Sequence, residues 1–382
     1  MENYVFVEHG PDGLPALFRS AKRVLEAAQG DEIRAALAEA EAARREGAWI
    51  AGYLAYEAGY AFEPRLEKLL PPAPEHPLLV LGIYEAPQDV GQLLQEMIRE
   101  SGQSRMSELR PRISQTDYGR AFDAVQDYIL SGDCYQINLT FPLEAELVSG
   151  SIGGLYGALR QTGIVGHGAC IDLGIGPAIV SHSPELFFSL TSDGVIETRP
   201  MKGTRPRDPD PARDAAIAAE LGSNPKDRAE NLMIVDLLRN DISRVSRPGS
   251  VRVPALFTVE HYATVHQMTS TVRGDLAAPA SLPELMAALF PCGSVTGAPR
   301  LRAMEIIHEL EPFPRGVYCG AIGWMAPDGR ADFSVAIRTL SVSDHRITLN
   351  VGGGIVRDST PGGEWEEALW KARFANRAVS PA

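Results

Sequence analysis

The apolar and polar positions of the chain fall into runs of two different periods. Tyr118, Phe122, Val125 and Ile129 recur at spacings of three and four, behind a Thr/Asp start and ahead of Gly132, and predict a helix. Directly afterwards Tyr135, Ile137, Leu139 and Phe141 alternate with Gln136, Asn138 and Thr140, the period of a strand with one apolar and one polar face. An Ala-rich stretch from Asp31 to Arg45 reads as an earlier helix, followed by a continuous apolar and aromatic run from Trp49 to Tyr60. A strand-and-turn run from Gly168 to Arg199 leads into two helices, Pro211 to Leu221 and Asn224 to Ile242. The second opens on Asn-Pro, a good N-cap followed by proline in the first turn. Another strand-rich piece, a helix from Thr296 to Leu310 and a second meander complete the chain. Pro327-Asp-Gly and Ser343-Asp-His mark the turns of that meander.

Hairpin turns outnumber strand-helix-strand crossovers. This predicts an α+β fold of antiparallel sheets with helices packed outside, in two loosely repeated halves. Residues 101–115 are polar and form the candidate linker. They separate residues 1–100, an N-terminal portion of the same unit, from 116–382, where the candidate chemistry lies.

Composition narrows the function. With 45% hydrophobic and 22% charged residues over 382 positions, the chain has the balance of a globular protein. Its net charge of −13, with no basic tract, argues against partners such as nucleic acid or an anionic membrane surface. Apolar runs such as Val317 to Ala326 are far shorter than the roughly 18–20 residues that span a bilayer. The start, MENYVFVEHG, has neither the basic nor the hydrophobic region of a signal peptide. Cys134, Cys170, Cys292 and Cys319 lie far apart without a C-x-x-C pair, so a reduced, cytoplasmic protein is expected.

Two glycine-rich segments fail as nucleotide motifs. Gly352-Gly-Gly-Ile-Val-Arg357 has arginine where the dinucleotide fingerprint needs its last glycine, and Gly293-Ser-Val-Thr-Gly-Ala-Pro-Arg300 lacks the Gly-Lys-Ser/Thr of a phosphate loop. The latter reads equally as a tight turn or as an anion-binding helix start. More telling are two carboxylate pairs at i, i+3, Asp227 with Glu230 and Glu364 with Glu367. That spacing puts each pair on one helix face. Each pair also lies near a helix start, where acids complement the dipole, so capping and metal binding both remain open. Together, four carboxylates on one cleft suit a hard dication such as Mg²⁺. Lys202, beside Gly203 and close to Arg205 and Arg207, lies in a proline-bracketed loop that either turns the chain or carries a nucleophile. Glu185 in Ser183-Pro-Glu precedes Leu-Phe-Phe, surroundings that raise a carboxyl pKa towards general-acid use. His266 interrupts a strand-like run, where a histidine serves as a satisfied core donor or as a catalyst.

These segments, in this order, resemble the chorismate-utilising enzymes, the family of anthranilate, aminodeoxychorismate, isochorismate and salicylate synthases. The resemblance is carried by Gly132-Asp-Cys-Tyr-Gln-Ile-Asn-Leu139, Ser183-Pro-Glu185, Arg199-Pro-Met-Lys-Gly-Thr-Arg-Pro-Arg207, Glu230-Asn-Leu-Met-Ile-Val-Asp-Leu-Leu-Arg-Asn-Asp241, Pro291 to Arg300 and Gly352 to Glu367. It covers about residues 115 to 378 and marks 116–382 as the chorismate-binding catalytic region. It implies Mg²⁺ held by Glu230 and Glu367, with Asp227 and Glu364 acting through water. It further implies Lys202 as the nucleophile and Glu185 as the general acid. Substrate contacts would come from Gln136, Thr204, Tyr318, Arg338, Lys371 and the amides of Gly352, Gly353 and Gly354, with His266 and Thr296 as further polar contacts. Family members that add water use a lysine base where this chain has Gln136, and anthranilate synthases carry alanine where it has Lys202. Both positions point to amination of chorismate at C4, the aminodeoxychorismate branch on the route to 4-aminobenzoate and folate. The same resemblance implies a separate glutamine amidotransferase subunit as ammonia donor. Anthranilate synthesis and a non-catalytic subunit sensing chorismate or an amino acid stand as the alternatives.

Overall fold

Local sequence rules account for most helix starts. In the computed structural model, which describes residues 3–262, 265–279 and 281–379, Ser114, Ser151, Asp210, Asn224 and Thr360 each accept an N-cap hydrogen bond from the following turn. The chain begins β1 (Tyr4–Val7), β2 (Ala16–Arg19), β3 (Arg23–Ala27), α1 (Gly30–Arg45), β4 (Trp49–Leu54), β5 (Leu79–Tyr84) and α2 (Gly91–Ser101). It continues through β6 (Arg105–Met106), β7 (Arg110–Pro111), α3 (Gln115–Leu130), β8 (Gln136–Ser149), α4 (Ile152–Arg160), β9 (His167–Asp172) and β10 (Ala178–Ser183). Next come β11 (Leu186–Leu190), β12 (Val195–Arg199), β13 (Met201–Pro206), α5 (Pro211–Ser223), α6 (Pro225–Ser243), β14 (Arg252–His261) and β15 (Val265–Asp275). Last are α7 (Leu282–Leu289), β16 (Gly297–Ala298), α8 (Arg300–Leu310), β17 (Ala321–Met325), β18 (Ala331–Val335), β19 (Thr339–Ser343), β20 (Arg346–Ile355) and α9 (Pro361–Lys371).

The strands form two ten-stranded antiparallel sheets, confirming the α+β class. One runs β16-β8-β20-β19-β10-β9-β1-β2, with β6 and β7 on β8; the other runs β13-β15-β12-β11-β18-β17-β4-β5-β3, with β14 on β15. Each sheet draws strands from both ends of the chain. Residues 4–27 and 49–84 are therefore woven into the same layers as residues 116–379: β1 pairs with β9, and β4 with β17.

Strand alternation sends residues to opposite faces. Val5, Val7, Phe18, Tyr53, Val80, Ile171, Ile179, Ile322 and Trp324 form a core between the sheets, while Tyr4, Phe6, Leu25, Leu81 and Val180 face the helices outside.

Three sequence expectations need adjustment. The polar stretch 101–115 contains β6 and β7, which pair with the outer end of β8 and so satisfy their backbone groups on a sheet. The helix expected from Thr296 begins only at Arg300, because Gly297 and Ala298 pair with Ile137 and Gln136 as β16. A side chain at Gly297 would lie 2.3 Å from the Gln136 carbonyl, so only glycine permits that approach. The polar face of β8 is buried as fully as its apolar face: Gln136, Asn138 and Thr140 are all enclosed.

Candidate active site

A cavity of about 720 Å³ opens where the ends of β13, β20 and α9 meet α6 and the loop before β17. Its position on β13 follows from a bulge. Met201 pairs with Thr269 but Thr204 pairs with Gln267, so β13 carries an extra residue at Lys202-Gly203. Gly203 adopts φ +78°, and a side chain there would press on Leu221 and Asp227. The bend turns the Lys202 side chain into the cavity, among Glu185, Tyr318, Arg338 and the acids of α6 and α9.

Lys202 and Glu185 perturb each other. Burial pulls the Lys202 amine below the usual lysine range and the Lys371 ammonium adds to this, while Glu185, Glu230 and Glu367 pull the other way. Burial raises the Glu185 carboxyl; a hydrogen bond donated by the Ser294 hydroxyl to Oε1 (2.6 Å) and the charges of Lys202 and Arg338 restrain that rise. Burial thus favours the neutral form of both groups, the direction that a nucleophile and a general acid need. Arg338 stands on a backbone with φ +51°, a strained conformation for a non-glycine residue, and its carbonyl is held by the amide of His182 (3.0 Å).

The four predicted acids converge on the mouth of this cavity. The start of α6 is capped by Asn224, whose side chain accepts from the amides of Lys226 and Asp227. Asp227 is thereby free to pair with Arg205 (2.7 Å). Burial raises the Glu230 carboxyl, with Asp227 and Glu367 adding to the rise; burial also raises Glu364, again with Glu367 adding. For Glu367 burial acts in the same sense, but Lys371 at 2.9 Å, together with Lys202 and Lys226, outweighs it and the carboxyl stays below its usual range. Glu364 accepts from the Ser359 hydroxyl (2.6 Å). Among the described residues no three of these acids bring their oxygens within 4.8 Å of one another. Mg²⁺ keeps several waters and takes only one or two carboxylates directly, so it does not require a tight cluster. Four carboxylates lining one cavity are hard oxygen donors of the kind such a cation takes.

Twelve of the sixteen residues expected at the site line the cavity: Lys202, Glu185, Thr204, Tyr318, Arg338, Gly352, Gly354, Lys371, Asp227, Glu230, Glu364 and Glu367. Gly353 is not itself a lining residue, but a side chain there would point at the acids of the mouth and meet Glu364 Oε2 at 2.8 Å, while side chains at Gly352 and Gly354 would point the other way, at Thr140 and Gln136. Gln136 lies one layer behind the wall, its amide nitrogen packed against Gly354. His266 does not belong to the site. Gln267 faces the cavity, so its neighbour on β15 faces away, and His266 bonds Asp214 (2.8 Å) and His261 (2.7 Å). Thr296 is likewise enclosed, its hydroxyl donating to the Cys292 carbonyl (2.8 Å). Sequence reasoning missed Ser294, Asn138, Asn350 and Lys226, all of which line the cavity. Ser294 could have been found, since it lies in the Gly293–Arg300 segment already singled out; Asn138 sits on the polar face of β8.

The profile of chorismate binding enzymes matches residues 4–377. Over 262 residues the chain is 47% identical to an aminodeoxychorismate synthase component 1 of Klebsiella aerogenes, covering 69% of this chain and 57% of that protein. It is 43% identical over 258 residues to an anthranilate synthase component 1 of Streptomyces coelicolor, covering 67% of this chain and 50% of that one. The chain thus matches little more than half the length of these relatives. The crystal structure of anthranilate synthase component I from Streptococcus pneumoniae superposes with a TM-score of 0.76 at 25% identity, over 98% of this chain and 90% of that one. The match from Tyr4 to Arg377 takes in both sheets, the bulged lysine strand and the acid-bearing helices, and on that extent the chain belongs to the chorismate-binding enzyme family.

Proposed function

We propose that the chain aminates chorismate at C4 with ammonia, giving 4-amino-4-deoxychorismate. The observation that carries this reading is the placement of Lys202 beside Glu185 inside a cavity whose mouth is lined by acids. Chorismate is a dicarboxylate entering a chain of net charge −13, so local cations must counter the global field. Arg338, Lys371 and Tyr318 are the groups suited to its pyruvyl-ether carboxylate. Bound Mg²⁺, held by Glu230 and Glu367 with Asp227 and Glu364 through water, would offset the ring carboxylate and withdraw electron density from the ring.

In the reaction proposed, the neutral Lys202 amine forms a bond to C2 as the C4–oxygen bond breaks. Glu185 gives its proton to the departing hydroxyl, which leaves as water. Ammonia then bonds to C4, the C2–nitrogen bond breaks, and the Lys202 amine is released. Burial shifts the Lys202 amine down and the Glu185 carboxyl up, and each shift is in the direction its role requires. Ammonia would come from a glutamine amidotransferase partner, and the setting would be the cytoplasm, within 4-aminobenzoate and folate synthesis.

The S. coelicolor relative favours a second reading, amination at C2 with loss of pyruvate to give 2-aminobenzoate. Incubation of the purified chain with chorismate, ammonium and Mg²⁺, followed by mass and fluorescence analysis, separates the two. A C4-aminated product that retains the pyruvyl group, and its loss in Lys202→Ala, is the expected result. A 2-aminobenzoate product overturns the reading, and binding without turnover would point to a sensing subunit.

A further inference from the structure

Away from the cavity, on the seam between the two sheets, lies a second cluster of metal-competent side chains. His9 follows β1, His167 opens β9 in the same sheet, and Asp332 lies on β18 in the other sheet. The carboxylate of Asp332 divides between the two imidazoles: Oδ2 stands 3.0 Å from His9 Nδ1 and Oδ1 stands 3.1 Å from His167 Nδ1. Among the described residues this is the one group of three histidine, cysteine or carboxylate ligands whose donor atoms lie within 4.8 Å of one another. We propose that His9, His167 and Asp332 bind a zinc-class divalent ion that ties the two sheets together.

Three observations carry this. First, the donor set is right: two imidazole nitrogens and one carboxylate oxygen are borderline ligands of the kind Zn²⁺ takes, unlike the all-carboxylate mouth of the cavity. Second, the spacing is right. Ligands at about 2.0–2.1 Å in a tetrahedron stand about 3.3 Å apart, and one donor atom from each of the three side chains already lies within 4.8 Å of the others, so small side-chain rotations close the site. Third, there is room and access. A void of about 10 Å³, the space of one water-sized sphere, is lined by these three residues and Ser334 on its polar side and by Val7, Ala169, Ile322 and Trp324 on its apolar side. The His9 side chain is 47% exposed, leaving an entry path and a fourth position for water.

The surroundings hold the ligands in place. The Trp324 indole donates to the His9 carbonyl (2.8 Å), fixing the chain where it leaves β1. Glu8, the next carboxylate along, is occupied by the Tyr156 hydroxyl and Arg160 and does not compete. Without an ion, the same side chains form a histidine–carboxylate–histidine hydrogen-bonded chain, and the test must separate the two.

The full chain is stripped with EDTA, equilibrated with millimolar Mg²⁺ to satisfy the cavity acids, and titrated with Zn²⁺ by calorimetry. Wild type is expected to take up one Zn²⁺ tightly, and at a hundredfold excess over Kd its Tm should rise by about 3–5 °C. His9→Gln and His167→Gln, checked for native circular dichroism, should each weaken that site by about a hundredfold or more and abolish the Tm rise. Absence of a tight site in wild type, or its retention in either variant, overturns the proposal. Neither readout involves chorismate, so the result is independent of the reaction proposed above.

Discussion

Removing the Glu311 carboxylate tests whether the floor of the cavity depends on a buried ion pair. Arg315 and Glu311 are the most deeply buried oppositely charged pair in contact in the described structure, with side chains only 1% and 4% exposed. Glu311 accepts from Arg315 through both oxygens (2.7 and 2.8 Å) and also from the Thr140 amide (2.8 Å) and hydroxyl (3.0 Å). Arg315 in turn donates to the carbonyls of Val295 and Asn138, two residues of the cavity wall. In Glu311→Ala the guanidinium is left buried without its counter-charge, which costs about 3–5 kcal/mol. The orphaned Thr140 amide adds about 1–3 kcal/mol. Glu57, whose carboxyl feels the Arg315 charge, offsets part of this, so the expected loss is about 4 kcal/mol. Glu311→Gln keeps an acceptor for Thr140 but not the charge, and about 2–3 kcal/mol should go. Equilibrium urea unfolding followed by circular dichroism measures both, with the slope held fixed. If Glu311→Ala lies within about 1 kcal/mol of wild type, the pair is not what holds this wall and the reasoning fails.

Three further outcomes are expected. Ser294→Ala removes a hydrogen bond that favours the charged form of Glu185, so its carboxyl pKa should rise further. The alkaline limb of the rate–pH profile, where the acid loses its proton, should then move upward; a fixed or downward-moving limb would contradict the general-acid role. Burial pushes the Glu57 carboxyl up from 4.5 to about 7, against hydrogen bonds from the amides of Arg315 and Gly316. Between those values the folded protein holds a proton that the unfolded chain has released, so this group makes stability fall as pH rises, by about 3 kcal/mol at pH 8 relative to pH 4.5. Glu57→Gln should flatten that segment, and unfolding free energies with the same pH slope in variant and wild type would refute it. Gly353→Ala puts a methyl 2.8 Å from Glu364 Oε2, a flexible end that yields easily. Stability should change by less than about 1 kcal/mol while the Mg²⁺ needed for half-maximal turnover rises several-fold, as read from a Mg²⁺ titration; unchanged Mg²⁺ dependence would separate Gly353 from the acid cluster.

Elements set by local chemistry were readable from sequence. The Asn224-Pro225 start, the helical spacing of Tyr118 to Ile129 and the alternation from Ile137 onward all stand where those signals put them. Elements set by distant partners were not. Gly297-Ala298 reads as part of a helix until β8 arrives to pair with it, and residues 105–111 read as a linker until the same strand supplies their hydrogen bonds. The site divides in the same way. The carboxylate pairs and Lys202 could be singled out because their spacing or motif is local. His266 misled because one step of strand register separates the cavity face of Gln267 from the buried face that His266 shares with Met268 and Val272. Ser294 was overlooked because its importance lies in Glu185, 109 positions away.

The interleaving of the sheets bears on how the protein is made. β4 must wait for β17 while roughly 270 residues are added, and β8 for β20 while roughly 200 are, so each keeps a bare backbone edge for half of translation or more. Such an order of assembly is slow and leaves adhesive strands unpaired on the ribosome. Chaperone demand during synthesis should therefore be high, and a nascent chain arrested before residue 346 should aggregate on release, whereas one released after β20 and α9 have been completed should not.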